Sequence, residues 1–344
     1  MKRVFAACVA AATLVPALAL SQPARTPPAA QPVKVVLPDR LPIATSGGSG
    51  EAAYWSSTTL DGTHPDIVRA VIMVHGEERN ADVYRRIAEQ AINDAGETTG
   101  TLLIVPQFLE RQDAAKIHDP ATLRWASGGW MDGMPAVNPA PLSSFSVIDA
   151  ILEALDDRTR FPALRHVIVA GHSAGAQFIQ RYAVVGHAAD LLRQRAIDVT
   201  YAIANPSSFL YFDDVRPTPS GGFAPFDGQA CPAFDRWKYG LHDVPPYVAS
   251  VDARKLQSAY AARNVVYLAG ADDTDPHQKA LDVSCSAEAQ GPSRYTRAHA
   301  YFRYVQLHLA GPFKQRIIDV PGVAHSARGI YTSAQARAIF EENE

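Results

Sequence analysis

Four groups of residues with chemical potential recur at one kind of place in this chain, just past an apolar, β-branched run. The first is Gly171-His172-Ser173-Ala174-Gly175, which follows Val167-Ile168-Val169 and precedes a helical stretch rich in small residues. This G-x-S-x-G pattern describes a serine on a tight strand-to-helix turn, its Oγ pushed out at the top of a sheet. The flanking glycines have a steric reason: a side chain there would collide where the backbone doubles back. The helix N-terminus behind Ser173 sets N–H groups and a positive dipole end beside an oxygen that will carry charge.

A serine hydroxyl needs a base to take its proton, and that base needs a carboxylate to fix its tautomer. Asp272, Asp273 and Asp275 follow the apolar run Asn264–Gly270, and His325 follows Arg316–Val320 through Pro321-Gly322. Asp273, three residues past Gly270, has the offset expected of the acid; Asp272 and Asp275 stay open as alternatives. Among eleven histidines, His325 is the base by its place after the last apolar run. His277 follows the acid too soon, and His172 is read as packing. The fourth group is His75-Gly76-Glu77 after Ala70–Val74. There the backbone N–H of Glu77, with that of Ala174, would form an oxyanion hole, and His75 would brace the loop. No metal is expected, because the histidines lack ligand spacing such as H-E-x-x-H, and the chemistry needs no cofactor.

The elements that must position these groups read as strands alternating with helices. That pattern predicts an α/β fold with a mostly parallel, doubly wound sheet whose sites gather at the carboxyl ends of strands. Strands are expected at Val33–Leu37, 52–58, Ala70–Val74, Thr101–Val105 (stopped by Pro106), 166–170, Val199–Ala204, Asn264–Gly270 and Arg316–Val320. Helical stripes run over 81–95, 142–155, 174–185, 254–263 and 294–309, with Ser333 capping a last helix through Phe340. The segment 205–251, dense in aromatics and proline, reads as a lid or insertion between the sixth and seventh strands. His75, Trp130, Tyr211 and Trp237 are the candidate pocket residues.

The 344 residues, 47% hydrophobic and 19% charged, suffice for a sizeable core. A formal charge of −3 gives no footprint for nucleic acid. Met1-Lys2-Arg3, the apolar stretch to Leu20 and small residues near Ala19-Leu20-Ser21 read as a signal peptide over 1–21. Cys8 lies inside that stretch, which argues against lipoprotein cleavage. Residues 22–50 read as a Pro/Gly/Ser-rich linker, and 51–344 as the catalytic domain, with no membrane span after processing. The destination would be the periplasm or the medium, where Cys231 and Cys285 would pair as a disulfide. Oligomeric state is not specified by any of these features.

Together, Val74-His75-Gly76, the elbow at 171–175, Gly270-Ala271-Asp272-Asp273 and Gly322-Val323-Ala324-His325 resemble the α/β-hydrolase superfamily from Ala52 onward. Their order, nucleophile, acid, base, is that of the superfamily. The loop departs from the His-Gly-Gly-Gly form of hormone-sensitive-lipase-like esterases, and the elbow from the Gly-Glu-Ser-Ala-Gly of many carboxylesterases. In its export signal and its cysteine near the insertion, the chain resembles secreted serine esterases such as feruloyl esterases and polyester depolymerases. The resemblance implies hydrolysis of a small or polymeric ester. An exported aminopeptidase or acyl-peptide hydrolase, or an inactive binding protein on the same fold, are the rival expectations.

Overall fold

The computed structural model describes residues 27–248 and 252–341; the expected signal peptide lies outside them. Eight strands form one sheet: β1 (Asp39–Thr45), β2 (Gly48–Ser56), β3 (Arg69–Val74), β4 (Thr101–Gln107), β5 (His166–His172), β6 (Asp198–Ala204), β7 (Asn264–Gly270) and β8 (Arg316–Val320). Their spatial order is β1-β2-β4-β3-β5-β6-β7-β8. From β4 to β8 every neighbouring pair is parallel, whereas β1–β2 and β2–β4 are antiparallel.

The apolar runs are central strands because both their faces are covered. Ala70, Ile72 and Val74 point into a core shared with α2 (Phe145–Asp156), α3 (Ala174–Val185) and α4 (Arg294–His308). Val71 and Met73 point to the opposite face, against α1 (Ala81–Asp94) and the C-terminal helices 327–331 and 334–340. Ser333 Oγ accepts the Ala336 amide and caps the last of these.

Two boundaries differ from expectation. The stretch 27–50 is not a free linker, and Val33–Leu37 is not a strand. Instead β1 begins at Asp39 and alternates, with Leu41 and Ile43 buried. Ser46 and Gly47 make the turn to β2. Gly50 serves close approach: a Cβ there would fall 2.8 Å from Leu123 Cδ2. Ahead of β1, Val33 and Leu37 are buried, and their amides donate to Asp113 and Gln107 side chains at 2.8 Å each. The second difference is at Pro106, which does not stop β4. It pairs with Tyr54 on the antiparallel side of the strand.

Between β6 and β7, the inserted segment divides in two. Phe209, Leu210 and Tyr211 are fully buried in the main core, and Phe212 nearly so. That stretch is core, not cover. Beyond it come a small hairpin, 215–217 with 223–225, and a loop through Lys238 and Tyr239. Cys231 in the latter is disulfide-bonded to Cys285, with Cα atoms 5.9 Å apart.

Candidate active site

The turn between β5 and α3 holds Ser173 at φ 57°, ψ −117°, a conformation that costs a non-glycine residue about 1–3 kcal/mol. The surroundings impose it. A Cβ on Gly171 would lie 2.6 Å from the Gly175 carbonyl, and one on Gly175 would lie 2.5 Å from the His75 oxygen. Either would push α3 off the sheet. The Ser173 amide donates to Ala204 O of β6 at 2.9 Å, tying the turn to its neighbour.

His325, 152 residues further on, places Nε2 2.9 Å from Ser173 Oγ, and its Nδ1 is 2.8 Å from Asp273 Oδ2. Asp272 and Asp275 are exposed, and Asp275 caps its own turn by accepting the His277 amide. Burial holds the His325 imidazole below its ordinary value; the Asp273 hydrogen bond pulls upward, and the Arg294 charge pushes further down. The ring is therefore neutral at pH 7, with Nε2 free of a proton when Nδ1–H faces Asp273.

On the other side of Ser173, the loop after β3 is braced by His75. Its Nδ1–H donates to Gly76 O at 2.8 Å, and its Nε2 accepts the Phe108 amide at 2.9 Å. Complete burial lowers its pKa to about 4, so it stays neutral. Gly76 must lack a side chain because Tyr84 Oη would stand 2.6 Å from its Cβ. Arg79 grips the Glu77 carbonyl at 3.2 Å and the Ala29 and Gln31 carbonyls at 2.7 Å, with Asp113 behind it. The segment ahead of β1 thus buttresses the loop. Glu77 and Ala174 border the same hollow beside Ser173.

Two hollows meet at Ser173. The larger, about 960 Å³, contains His325, His172 and Tyr84, and residues 27–29 line its far wall. The smaller, about 330 Å³, contains Gln177, Ser207, Lys238, Tyr239 and Asp282. Neither is lined by the four aromatic-class residues expected from the sequence. His75 and Trp130 are fully buried, their rings 4.7 Å apart, with Trp130 stacked on Phe108. Tyr211 is buried under the Arg216 guanidinium, 4.3 Å from its ring centre. Trp237 is half-buried and donates Nε1–H to Asp132 O at 2.7 Å. Most of their apolar area went to the core, and Val83, Tyr84 and Ile87 line the larger hollow and Met131, Lys238 and Tyr239 the smaller.

Several residues around the site carried no sequence signal. Asn205, at φ 48° on the end of β6, donates to Asp273 Oδ2 (2.9 Å) and Ala324 O (3.2 Å) and accepts the Gly270 amide (2.9 Å). One side chain thereby ties the loop after β7 to the loop after β8. Arg294 Nη1 lies 3.6 Å from Asp273 Oδ1. The His172 ring packs 4.6 Å from that of His325, with Nδ1 3.3 Å from Tyr84 Oη and Nε2 buried without a partner. Burial first, and the His325 ring beside it second, keep His172 far below the usual histidine range, and so uncharged. Among the described residues there is no group of three or more His, Cys, Asp or Glu side chains that could hold a metal ion, and no helix long and apolar enough to cross a membrane.

No protein-family model matches the chain. No curated protein matches it either. Solved structures do. The poly(aspartic acid) hydrolase-1 of Sphingomonas sp. KT-1 superposes with a TM-score of 0.59 at 21% identity, over 90% of this chain and 99% of that one. The poly(3-hydroxybutyrate) depolymerase of Bordetella parapertussis gives 0.57 at 20% identity, over 84% and 85%. The fold of this chain is that of the α/β-hydrolases.

Proposed function

On this α/β-hydrolase fold, we propose that the protein is a serine hydrolase that cleaves carboxylic esters through an acyl-enzyme, with Ser173, His325 and Asp273 as its triad. The observation that carries the reading is the hydrogen-bonded chain from Ser173 Oγ through both imidazole nitrogens to Asp273. Ser173 Oγ attacks the ester carbonyl as His325 Nε2 accepts its proton. Asp273 holds Nδ1–H and stabilises the imidazolium. The oxyanion meets the N–H groups of Glu77 and Ala174, already oriented by the His75 brace and the helix turn. His325 returns the proton to the departing alcohol, then activates water to release the acid. No step needs a cofactor.

Export is part of the proposal. The basic and apolar segment 1–21 supports it, as does the Cys231–Cys285 bond, which persists in an oxidising compartment. A small or polymeric ester is the proposed substrate, and the likeness to a poly(3-hydroxybutyrate) depolymerase supports a polyester. Amide cleavage by an exported peptidase is the second reading, favoured by the likeness to a protein named for poly(aspartic acid), a polyamide. Turnover of short p-nitrophenyl esters against aminoacyl p-nitroanilides separates the two. Esters are expected to turn over faster, and Ser173→Ala to lose the activity. Faster anilide cleavage would replace the ester reading with the peptidase one.

A further inference from the structure

The two hollows at Ser173 differ in what they can receive. A leaving alcohol takes its proton from His325 Nε2, so it must lie in the hollow that contains His325. The smaller hollow borders Ser173, Ala174 and Glu77 without His325, which is the side left for the acyl chain. Its wall contains Gln177, one helical turn beyond Ser173 on α3 and only 6% exposed.

The orientation of the Gln177 amide follows from its neighbours. Arg181 has only donors. Its Nη2 donates to Gln177 Oε1 at 3.4 Å and to Ser208 Oγ at 3.0 Å. Having accepted from Arg181, Ser208 donates its own proton to Gln177 Oε1 at 3.0 Å. Two donors therefore fix the oxygen toward the protein and turn the Nε2 donors the other way. Among the described residues, no protein group accepts from Nε2. A donor with no protein acceptor is left to meet one on whatever fills the hollow.

Glu77, Lys238, Lys279 and Asp282 are the charged residues that line this hollow, and one pair of them is answered within the wall. The Lys238 ammonium is 3.7 Å from Asp282, whose carboxylate also accepts the Tyr239 hydroxyl at 2.7 Å. Lys238 and hydrogen bonds from Tyr239 and Ser284 hold Asp282 below the ordinary carboxylate value despite its burial, so the carboxylate stays ionised beside the lysine. Resting on the ester-hydrolase reading, we infer that Gln177 is a specificity-determining residue. Its amide selects acyl chains that carry an acceptor oxygen beyond the scissile carbonyl over plain hydrocarbon chains of the same length.

The test compares p-nitrophenyl 3-methoxypropanoate with the isosteric pentanoate, each rate divided by its rate of alkaline hydrolysis; p-nitrophenyl hydrogen succinate forms an anionic arm. Wild type is expected to favour the ether over the alkyl chain in kcat/KM by about tenfold, the scale of one hydrogen bond. Gln177→Met, close in shape and without a donor, is expected to bring the ratio near one, and Gln177→Glu, an acceptor beside Arg181, to do the same. A role in packing alone would lower both esters together and leave the ratio intact. Wild type preferring pentanoate, or variants retaining the ether preference, overturns the inference. A preference for succinate alone replaces it with recognition of charge by Lys238 and Lys279 of the same hollow. Fluorophosphonate labelling of each protein reports the folded site. Labelled proteins with no ether preference sink the Gln177 assignment only, whereas wild type with neither labelling nor ester turnover sinks the hydrolase reading and this one with it.

Discussion

The two sides of Ser173 are built by different means. On one side, the turn between β5 and α3 is a local device. Nine residues, from Val167 to Gly175, carry the strand, both sterically required glycines and the strained serine. On the other side, the wall of the smaller hollow is assembled from distant segments: Gln177 on α3, Lys238 and Tyr239 in the insertion, Asp282 after β7. Long-range bonds hold it, including the Cys231–Cys285 disulfide and the Tyr239 hydroxyl on Asp282. Chemistry thus rests on backbone geometry that few sequences can make, and selectivity on a scaffold that can vary. Losses on the local side should therefore appear in kcat, and losses on the assembled side in KM and stability.

The largest expected effect sharpens the first half of that contrast. Asp273→Asn keeps the shape of the site but supplies the wrong tautomer to His325, and kcat should fall about 10⁴-fold with little change in KM. Asp272→Asn, at an exposed position, should stay near wild type; a comparable loss there would reassign the acid. Steady-state kinetics on one short ester measures both.

Breaking the disulfide probes the other half. It closes a loop across 54 residues, for which chain entropy gives a loss of up to about 4 kcal/mol. In Cys231→Ser/Cys285→Ser, urea unfolding should show a loss of about 2–4 kcal/mol, and KM should rise several-fold with kcat within about threefold. A fall in kcat with KM unchanged would contradict the division.

Acid stability concerns the buried imidazoles behind the site. His75, His172 and His325 all have native pKa values below the ordinary 6.5. As pH falls, the unfolded chain binds their protons first. Their stability contribution is complete above about pH 6.5 and is lost as pH falls through each lowered native value, about 4 for His75. For His75 alone, lowered to about 4, the loss is on the order of 3 kcal/mol. His75→Gln should flatten the slope of unfolding free energy between pH 6.5 and 4; an unchanged slope would show that His75 does not titrate on unfolding.

The smallest effect is electrostatic. Arg294 pushes the His325 pKa down, so Arg294→Met should move the acid limb of kcat/KM to higher pH by about half a unit to one unit. Arg294→Lys, which keeps the charge, should leave the limb closer to that of wild type. A limb that moves equally in both variants would assign the shift to packing.

How much of this could be read from sequence follows the same division. The elbow, the central strands and the chain order of serine, acid and base depend on nearby residues, such as Gly171 against Gly175 or Val71 and Met73 alternating with Ile72. The first hairpin was hidden because the glycines of its turn and of the start of β2 signal flexibility in composition, whereas Gly50 serves contact with Leu123 in the fold. The pocket was misplaced because Tyr211 and Trp130 gain more from core burial than from lining a wet cavity. Asn205 and Arg79 bond to groups far along the chain, largely carbonyls and amides, and Gln177 to Ser208 on the next strand's loop, none of which leaves a mark in a sequence pattern.

The central claim is that Ser173 is an activated nucleophile, and labelling by a fluorophosphonate probe tests it most directly. Wild type should gain one probe mass on the peptide that contains Ser173, and Ser173→Ala should gain none. Unlabelled wild type, or label carried equally by Ser173→Ala, would contradict the account and leave the fold as a binding scaffold.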